Sequence, residues 1–112
     1  PCLVSQVLYE VWVAATRPVS ANGLGKSIAE ADAAQNRLVG TYPVFDDVPV
    51  IRPTWHRLVV AHSVLGKPAH DARLVAAMHT HALTHLLTFN DADFRRFTTV
   101  TVLTPADVLA MP

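Results

Sequence analysis

Apolar residues recur at helical spacing in several stretches of the chain, and turn residues bound each stretch. The spacing predicts a helix from Gln6 to about Ala15 with Ser5 as its N-cap. It predicts a second helix carrying Ile28 to Leu38. This helix should begin with a capping box, in which the side chains of Ser27 and Glu30 each accept a hydrogen bond from the other's backbone N–H. Three more helical segments follow, one capped by Thr54 and ended by Gly66, one with Asp71 in its first turn, and a short turn over residues 93–97. Thr104 and Pro105 predict a last helical turn.

Short β-branched or apolar runs lie between these helices. Four of them predict strands, at residues 2–4, 48–51, 84–88 and 99–103. Because strands alternate with helices, the pattern favours an α/β domain with an all-parallel sheet and helices on both faces.

The first helix is apolar on nearly every face, which predicts burial on most sides. Glu10 is the only charge among the first sixteen residues, and a buried carboxylate needs a partner. It could lie on a solvated stripe, pair with Arg17 or Arg73, or serve as a metal or water ligand. These alternatives stay open at the level of sequence.

Composition narrows the class of protein. A chain of 112 residues fits one domain, residues 1–112, with a sizeable core. Nine basic and nine acidic residues balance, so no strong overall field draws the protein to nucleic acid, and any RNA contact would be local.

The single cysteine and the lack of a long apolar run indicate a cytoplasmic protein with no membrane partner. The hydrophobic content of 51% leaves room for a subunit interface, so we expect a homodimer.

Acidic and amide side chains occur at two points that a parallel α/β layout would bring together. Asp71 opens a helix, and Asn90, Asp91 and Asp93 follow the strand at 84–88 directly. The carboxyl ends of parallel strands and the amino ends of helices share one edge of the sheet, where ligands bind. Oxygen ligands gathered there suit Mg²⁺ or Mn²⁺. Each acid also has a plain structural explanation, either interaction with the helix dipole or capping.

Four separated segments together resemble the PIN-domain family, and within it the ribonuclease toxins of VapC-type toxin–antitoxin pairs. The segments are residues 5–18 with Glu10, the loop 22–25, residues 70–76 with Asp71, and residues 87–94 with Asn90 and Asp93. The likeness runs from about Leu3 to Pro105.

The resemblance implies a three-layer α/β/α fold and a metal-dependent endoribonuclease that is often a dimer and is inhibited by a small antitoxin. It implies an acidic quartet that holds one or two Mg²⁺ or Mn²⁺ ions, in which Glu10 matches the second acid and Asp71 the third. At the fourth position the family's Thr-x-Asp stands here as Thr88-Phe89-Asn90, and Asp93 follows closely, so either Asn90 or Asp93 could serve. The expected metal ligands are Asp71, Glu10 and Asp93.

One departure concerns the first acid of the quartet. The family opens with a central strand that ends in its principal metal-binding Asp, whereas in this sequence no Asp precedes Asp32. We therefore expect the PIN-like domain to lack that strand, with a gap between the strands near Leu3 and Leu86. The alternative function is a catalytically inactive interaction module that binds an antitoxin or another partner. A phosphatase or DNA nuclease that uses the same acids is a third possibility.

Overall fold

The chain forms helices and short parallel strands that are arranged in two compact units. The computed structural model describes residues 1–111, and the predicted domain end at Pro112 lies outside them. The first unit is Pro1–Asp47 and the second begins at Val48. Each unit contains helices and one two-stranded parallel sheet, in agreement with the predicted mixed α/β character.

The first unit contains two helices and two strands. Strand β1 is Leu3–Val4, helix α1 is Ser5–Thr16, helix α2 is Ile28–Thr41 and strand β2 is Val44–Phe45, with a 3₁₀ turn at Val19–Ala21. β1 pairs with β2 in parallel, with Leu3 opposite Val44, and α1 packs against α2. The predicted capping box at the start of α2 is confirmed. Glu30 N–H donates to Ser27 Oγ, and Ser27 N–H donates to the Glu30 carboxylate, both at 3.1 Å.

Two predictions about α1 are wrong. Ser5 is its first helical residue and not its cap, because β1 runs into α1 without a loop and the extended backbone of Val4 takes the cap position. The helix is also less buried than its composition suggests. Tyr9 is 58% exposed and Val13 53% exposed, since α2 and the following loop cover only part of the apolar surface.

The second unit contains the remaining elements. These are α3 at Ile51–Ala61, α4 at Pro68–Thr80, β3 at His85–Leu87, α5 at Asp91–Phe94, β4 at Thr101–Leu103 and α6 at Pro105–Leu109. β3 pairs with β4 in parallel, with Leu86 opposite Val102. α4 supplies much of the core, because Leu74, Val75 and Met78 are buried at the helical spacing seen in the sequence. The capping box at the start of α6, formed by Thr104 and Asp107, is present, with Pro105 at the first helical position.

The strand predicted at 48–51 is not formed. Val48 accepts a hydrogen bond from Ile51 N–H at 3.0 Å, so this segment turns into α3, and the strand lies earlier, at Val44–Phe45. Thr54 consequently lies inside α3 and does not cap it. α3 also ends earlier than predicted, at Ala61, well before Gly66. Ser63 follows with a positive φ of 51° in the turn that leaves the helix.

Both observed strand pairs are parallel, which confirms the predicted strand direction. β1 has β2 as its ladder partner, and β3 has β4. The predicted gap between β1 and β3 involves both units and stays a prediction. Across residues 1–111, none of the helices has the length and apolar character needed to cross a membrane.

Candidate functional site

Asp71 lies where the sequence predicts it, in the first turn of α4. Pro68 begins the helix, where its missing N–H costs no hydrogen bond and its fixed φ suits the first turn. The neighbouring residue Ala72 is fully buried, whereas Asp71 is half-buried. The fold therefore holds the Asp71 side chain at the border between core and solvent, in the first turn of α4.

Asn90, Asp91 and Asp93 come shortly after β3, separated from it by Thr88 and Phe89. Asn90 takes the N-cap position of α5, but its carboxamide makes no capping bond. Its backbone N–H donates instead to Thr88 Oγ1 at 3.0 Å. The Asn90 side chain is exposed and is not used as a helix cap, so a structural explanation by capping does not apply to it.

Asp91 and Asp93 differ in what surrounds them. Arg95 donates to Asp91 Oδ2 from Nη2 at 2.6 Å and from Nε at 3.1 Å, one helical turn away. The Asp91 carboxylate is therefore occupied in an ion pair with Arg95. Asp93 is exposed in the first turn of α5, and its backbone N–H donates to Asn90 O at 3.1 Å. Of the acids after β3, Asp93 is therefore the better candidate for a ligand.

In the second unit, the two helices that carry Asp71 and Asp93 in their first turns pack against each other. α4, which begins with Asp71, packs against α5, which carries Asp93, and α5 connects β3 to the parallel strand β4. Asp71, Asn90 and Asp93 thus belong to one compact unit.

Glu10 belongs to the first unit, on α1. Its side chain is exposed and accepts a hydrogen bond from Gln6 Nε2 at 3.1 Å, one turn earlier on the helix. Arg17, one of the predicted partners of Glu10, instead donates from Nη2 to the Asn22 carbonyl at 3.1 Å. The predicted convergence of Glu10 with Asp71 spans both units and stays a prediction.

The oxygen atoms of these side chains are of the type that binds a hard cation, but the described residues do not gather them around one point. Carboxylate and amide oxygens are what Mg²⁺ and Mn²⁺ prefer. Within residues 1–111, however, no group of three or more His, Cys, Asp or Glu side chains is arranged to hold an ion.

Some functional candidates have no signal in the sequence. Arg57 on α3 and His79 near the end of α4 line a common cavity, although they are 22 positions apart in the chain. Their proximity depends on how α3 and α4 pack, which no local pattern encodes. Arg95, by contrast, is occupied in an ion pair with Asp91 at 2.6 Å.

Comparison with protein-family models, with curated proteins and with solved structures finds no match to this chain. The resemblance to PIN domains therefore depends on the four sequence segments alone.

Proposed function

We propose that this protein is a metal-dependent endoribonuclease of the PIN-domain type, the toxin of a toxin–antitoxin pair that acts in the cytoplasm. In this proposal Asp71, Glu10 and Asp93 are the metal ligands, and Asn90 lies beside them at the fourth position. A bound Mg²⁺ or Mn²⁺ would activate water and neutralise charge on the scissile phosphate. The substrate is RNA, and the partners are a cognate antitoxin and a second copy of the chain.

The main support for the proposal is that Asp71, Asn90 and Asp93 occur on neighbouring elements of the second unit. Asp71 lies at the start of α4, which packs against α5. Asp93 lies in α5, with Asn90 at its N-cap, and α5 connects the parallel strands β3 and β4. The three-layer α/β/α fold with a parallel sheet, which the resemblance implies, is part of the proposal. In such a sheet these residues share the edge at the carboxyl ends of the strands.

Cleavage of a labelled RNA by the full chain tests the proposal. With Mg²⁺ or Mn²⁺ present we expect cleavage that EDTA abolishes. Asp71→Asn should lower the rate by about 100-fold or more, because it keeps the side chain's shape and removes the charge that attracts the ion. Asp32→Asn, an exposed acid on α2, is the matched control and should cleave normally. Equal rates for Asp71→Asn and the unchanged chain would refute the assignment.

A second candidate, an interaction module without catalytic activity, is favoured by the surface of the first unit. A groove of about 370 Å³ lies on α1 and α2 and is lined by Leu8, Tyr9, Trp12, Val13 and Gln35. Its lining is almost entirely apolar, and Gln35 Nε2 is occupied in a bond to Leu8 O at 2.7 Å. Such a surface suits an apolar segment of an antitoxin. The same RNA assay separates the two candidates, because an interaction module would cleave no RNA under any metal condition.

A further inference from the structure

A cavity of about 540 Å³ opens between α3 and α4 within the second unit. It lies at the end of α4 opposite to Asp71. His79 lines the cavity and is eight residues beyond Asp71 on the same helix, a distance of about 12 Å at the rise of an α-helix. The cavity is therefore separate from the acidic candidate site, and its volume falls within the range of small-molecule pockets.

The polar part of the lining combines a guanidinium, an imidazole and two hydroxyls, of which the Thr80 hydroxyl donates to Ala76 O at 2.9 Å. Thr54, Arg57, His79 and Thr80 contribute it. Arg57 Nη2 donates to Thr54 Oγ1 at 3.2 Å, one helical turn away, which orients the guanidinium along α3. His79 Nε2 lies 2.6 Å from Thr99 Oγ1, and this contact orients the imidazole. The two basic side chains are thus held in position before any ligand arrives.

The charge of this lining has one sign. No Asp or Glu is among the described residues that line the cavity. Arg57 also forms no ion pair with a carboxylate in the described part of the chain, in contrast to Arg95, which is bound to Asp91. Because the whole chain has a net charge of zero, the positive lining is a local feature and not part of a basic surface. A guanidinium with free donors favours phosphate, which it can bind through two parallel hydrogen bonds.

The rest of the wall is apolar, formed by Val50, Leu58 and Ala61. A cavity of this volume exceeds the size of a bare phosphate, and its apolar wall favours a ligand with an uncharged body attached to the anion. We propose that this cavity is a binding site for the phosphate ester of a nucleoside, with Arg57 and His79 contacting the phosphate. The phosphate could come from a free nucleotide or from an RNA strand. The site does not depend on the proposed nuclease activity.

Titration of the full chain, followed by NMR chemical shifts, tests the site with three probes. These are uridine 5′-monophosphate, uridine without phosphate, and a short RNA with hydroxyl ends and internal phosphates only. We expect uridine 5′-monophosphate to shift the amides of α3 near Arg57 and of α4 near His79, and uridine to bind at least about tenfold more weakly. If the RNA shifts the same amides, the ligand is a strand, and if it does not, the ligand is a free nucleotide.

Variants distinguish this site from nonspecific charge. Arg57→Gln should raise the Kd for uridine 5′-monophosphate about tenfold, through loss of a charged donor. Arg52→Gln removes the same charge from an exposed position on α3 outside the cavity lining, and should change the Kd less than about twofold. Asp71→Asn should leave this Kd unchanged even if it abolishes RNA cleavage. Equal effects of Arg57→Gln and Arg52→Gln, or equal binding of uridine and its monophosphate, would overturn the proposal.

Discussion

Gly23 occupies a position where the backbone leaves no room for a side chain. The loop after the 3₁₀ turn folds back on the end of α1, where Leu24 N–H donates to Ala14 O and Gly25 N–H donates to Arg17 O, both at 2.9 Å. These bonds satisfy carbonyls that the helix end would otherwise leave without partners. A Cβ at Gly23 would overlap the carbonyl oxygen of Arg17.

We therefore expect Gly23→Ala to lower the free energy of unfolding by about 2 kcal/mol, the usual cost of overpacking. Gly40 is the matched control, because it lies in α2 and a Cβ there would meet no atom of the described residues within 4 Å. Gly40→Ala should raise stability by about 0.5 kcal/mol through higher helix propensity. Urea unfolding of both variants checks the pair, and the same sign of change for both would contradict this account of the loop.

Trp55 links α3 to the start of α4 through a single hydrogen bond. Its Nε1–H donates to Ala69 O at 2.7 Å, and the indole is half-buried. Trp55→Phe keeps an aromatic ring and removes the donor, so we expect a loss of about 1 kcal/mol in unfolding free energy. Trp12→Phe is the control, since the Trp12 indole has no hydrogen bond among the described residues. Denaturant unfolding that shows equal losses for the two variants would assign the effect to size alone.

Single residues were predictable from sequence where the signal was local. Asp71 in the first turn of its helix and Asn90 beside α5 follow from turn residues and apolar spacing a few positions away. The pairing of Asp91 with Arg95 is also local, at one helical turn, but the sequence alone did not separate a ligand from an ion-pair partner. Arg57 and His79 could not be predicted as neighbours, because their contact with one cavity depends on helix packing.

At the scale of elements, the capping boxes show how far local chemistry determines structure. Ser27 with Glu30, and Thr104 with Asp107, each satisfy two orphan backbone groups within four residues, and both were predictable. The strand at Val44–Phe45 was not predictable, because its partners Leu3 and Val4 are some 40 residues away in the sequence. A strand of two residues also shows little periodicity. Long-range pairing decided that element.

The cap of α2 makes its stability depend on pH. The Ser27 backbone N–H, its hydroxyl and the nearby Lys26 charge hold the pKa of Glu30 below its ordinary value of 4.5. A carboxylate with a lowered pKa in the folded state stabilises the protein above its unfolded pKa and loses that contribution as pH falls through the folded value. We expect the stabilisation from Glu30 to be complete above pH 4.5 and to decline below it.

Thermal unfolding followed by circular dichroism between about pH 3 and pH 7 measures this dependence. Glu30→Gln should be less stable than the unchanged chain at neutral pH, and the difference should shrink in acid. Asp32→Asn removes a carboxylate from the same helix without touching the cap and serves as the control. A Glu30→Gln difference that stays constant across the range would contradict the role of the charged cap.

At the scale of the whole molecule, the proposed metal ligands come from separate parts of the chain. Glu10 lies on α1 of the first unit, whereas Asp71 and Asp93 lie on α4 and α5 of the second. The sequence resemblance assigns all three to one acidic cluster, and no local pattern can test an assignment that joins different parts of the chain. Strand direction was predictable at this scale, because alternating helices and strands favour parallel pairing.

Paramagnetic broadening by Mn²⁺ tests the shared acidic cluster most directly, because it reports every amide close to a bound ion. In NMR spectra of the full chain, substoichiometric Mn²⁺ should broaden the amides around Glu10, Asp71 and Asp93 together. Asp71→Asn should abolish broadening at all three positions, since one ion is held in common. Broadening that omits Glu10, or that spreads equally to exposed acids such as Asp32, would contradict a metal site shared by Glu10, Asp71 and Asp93.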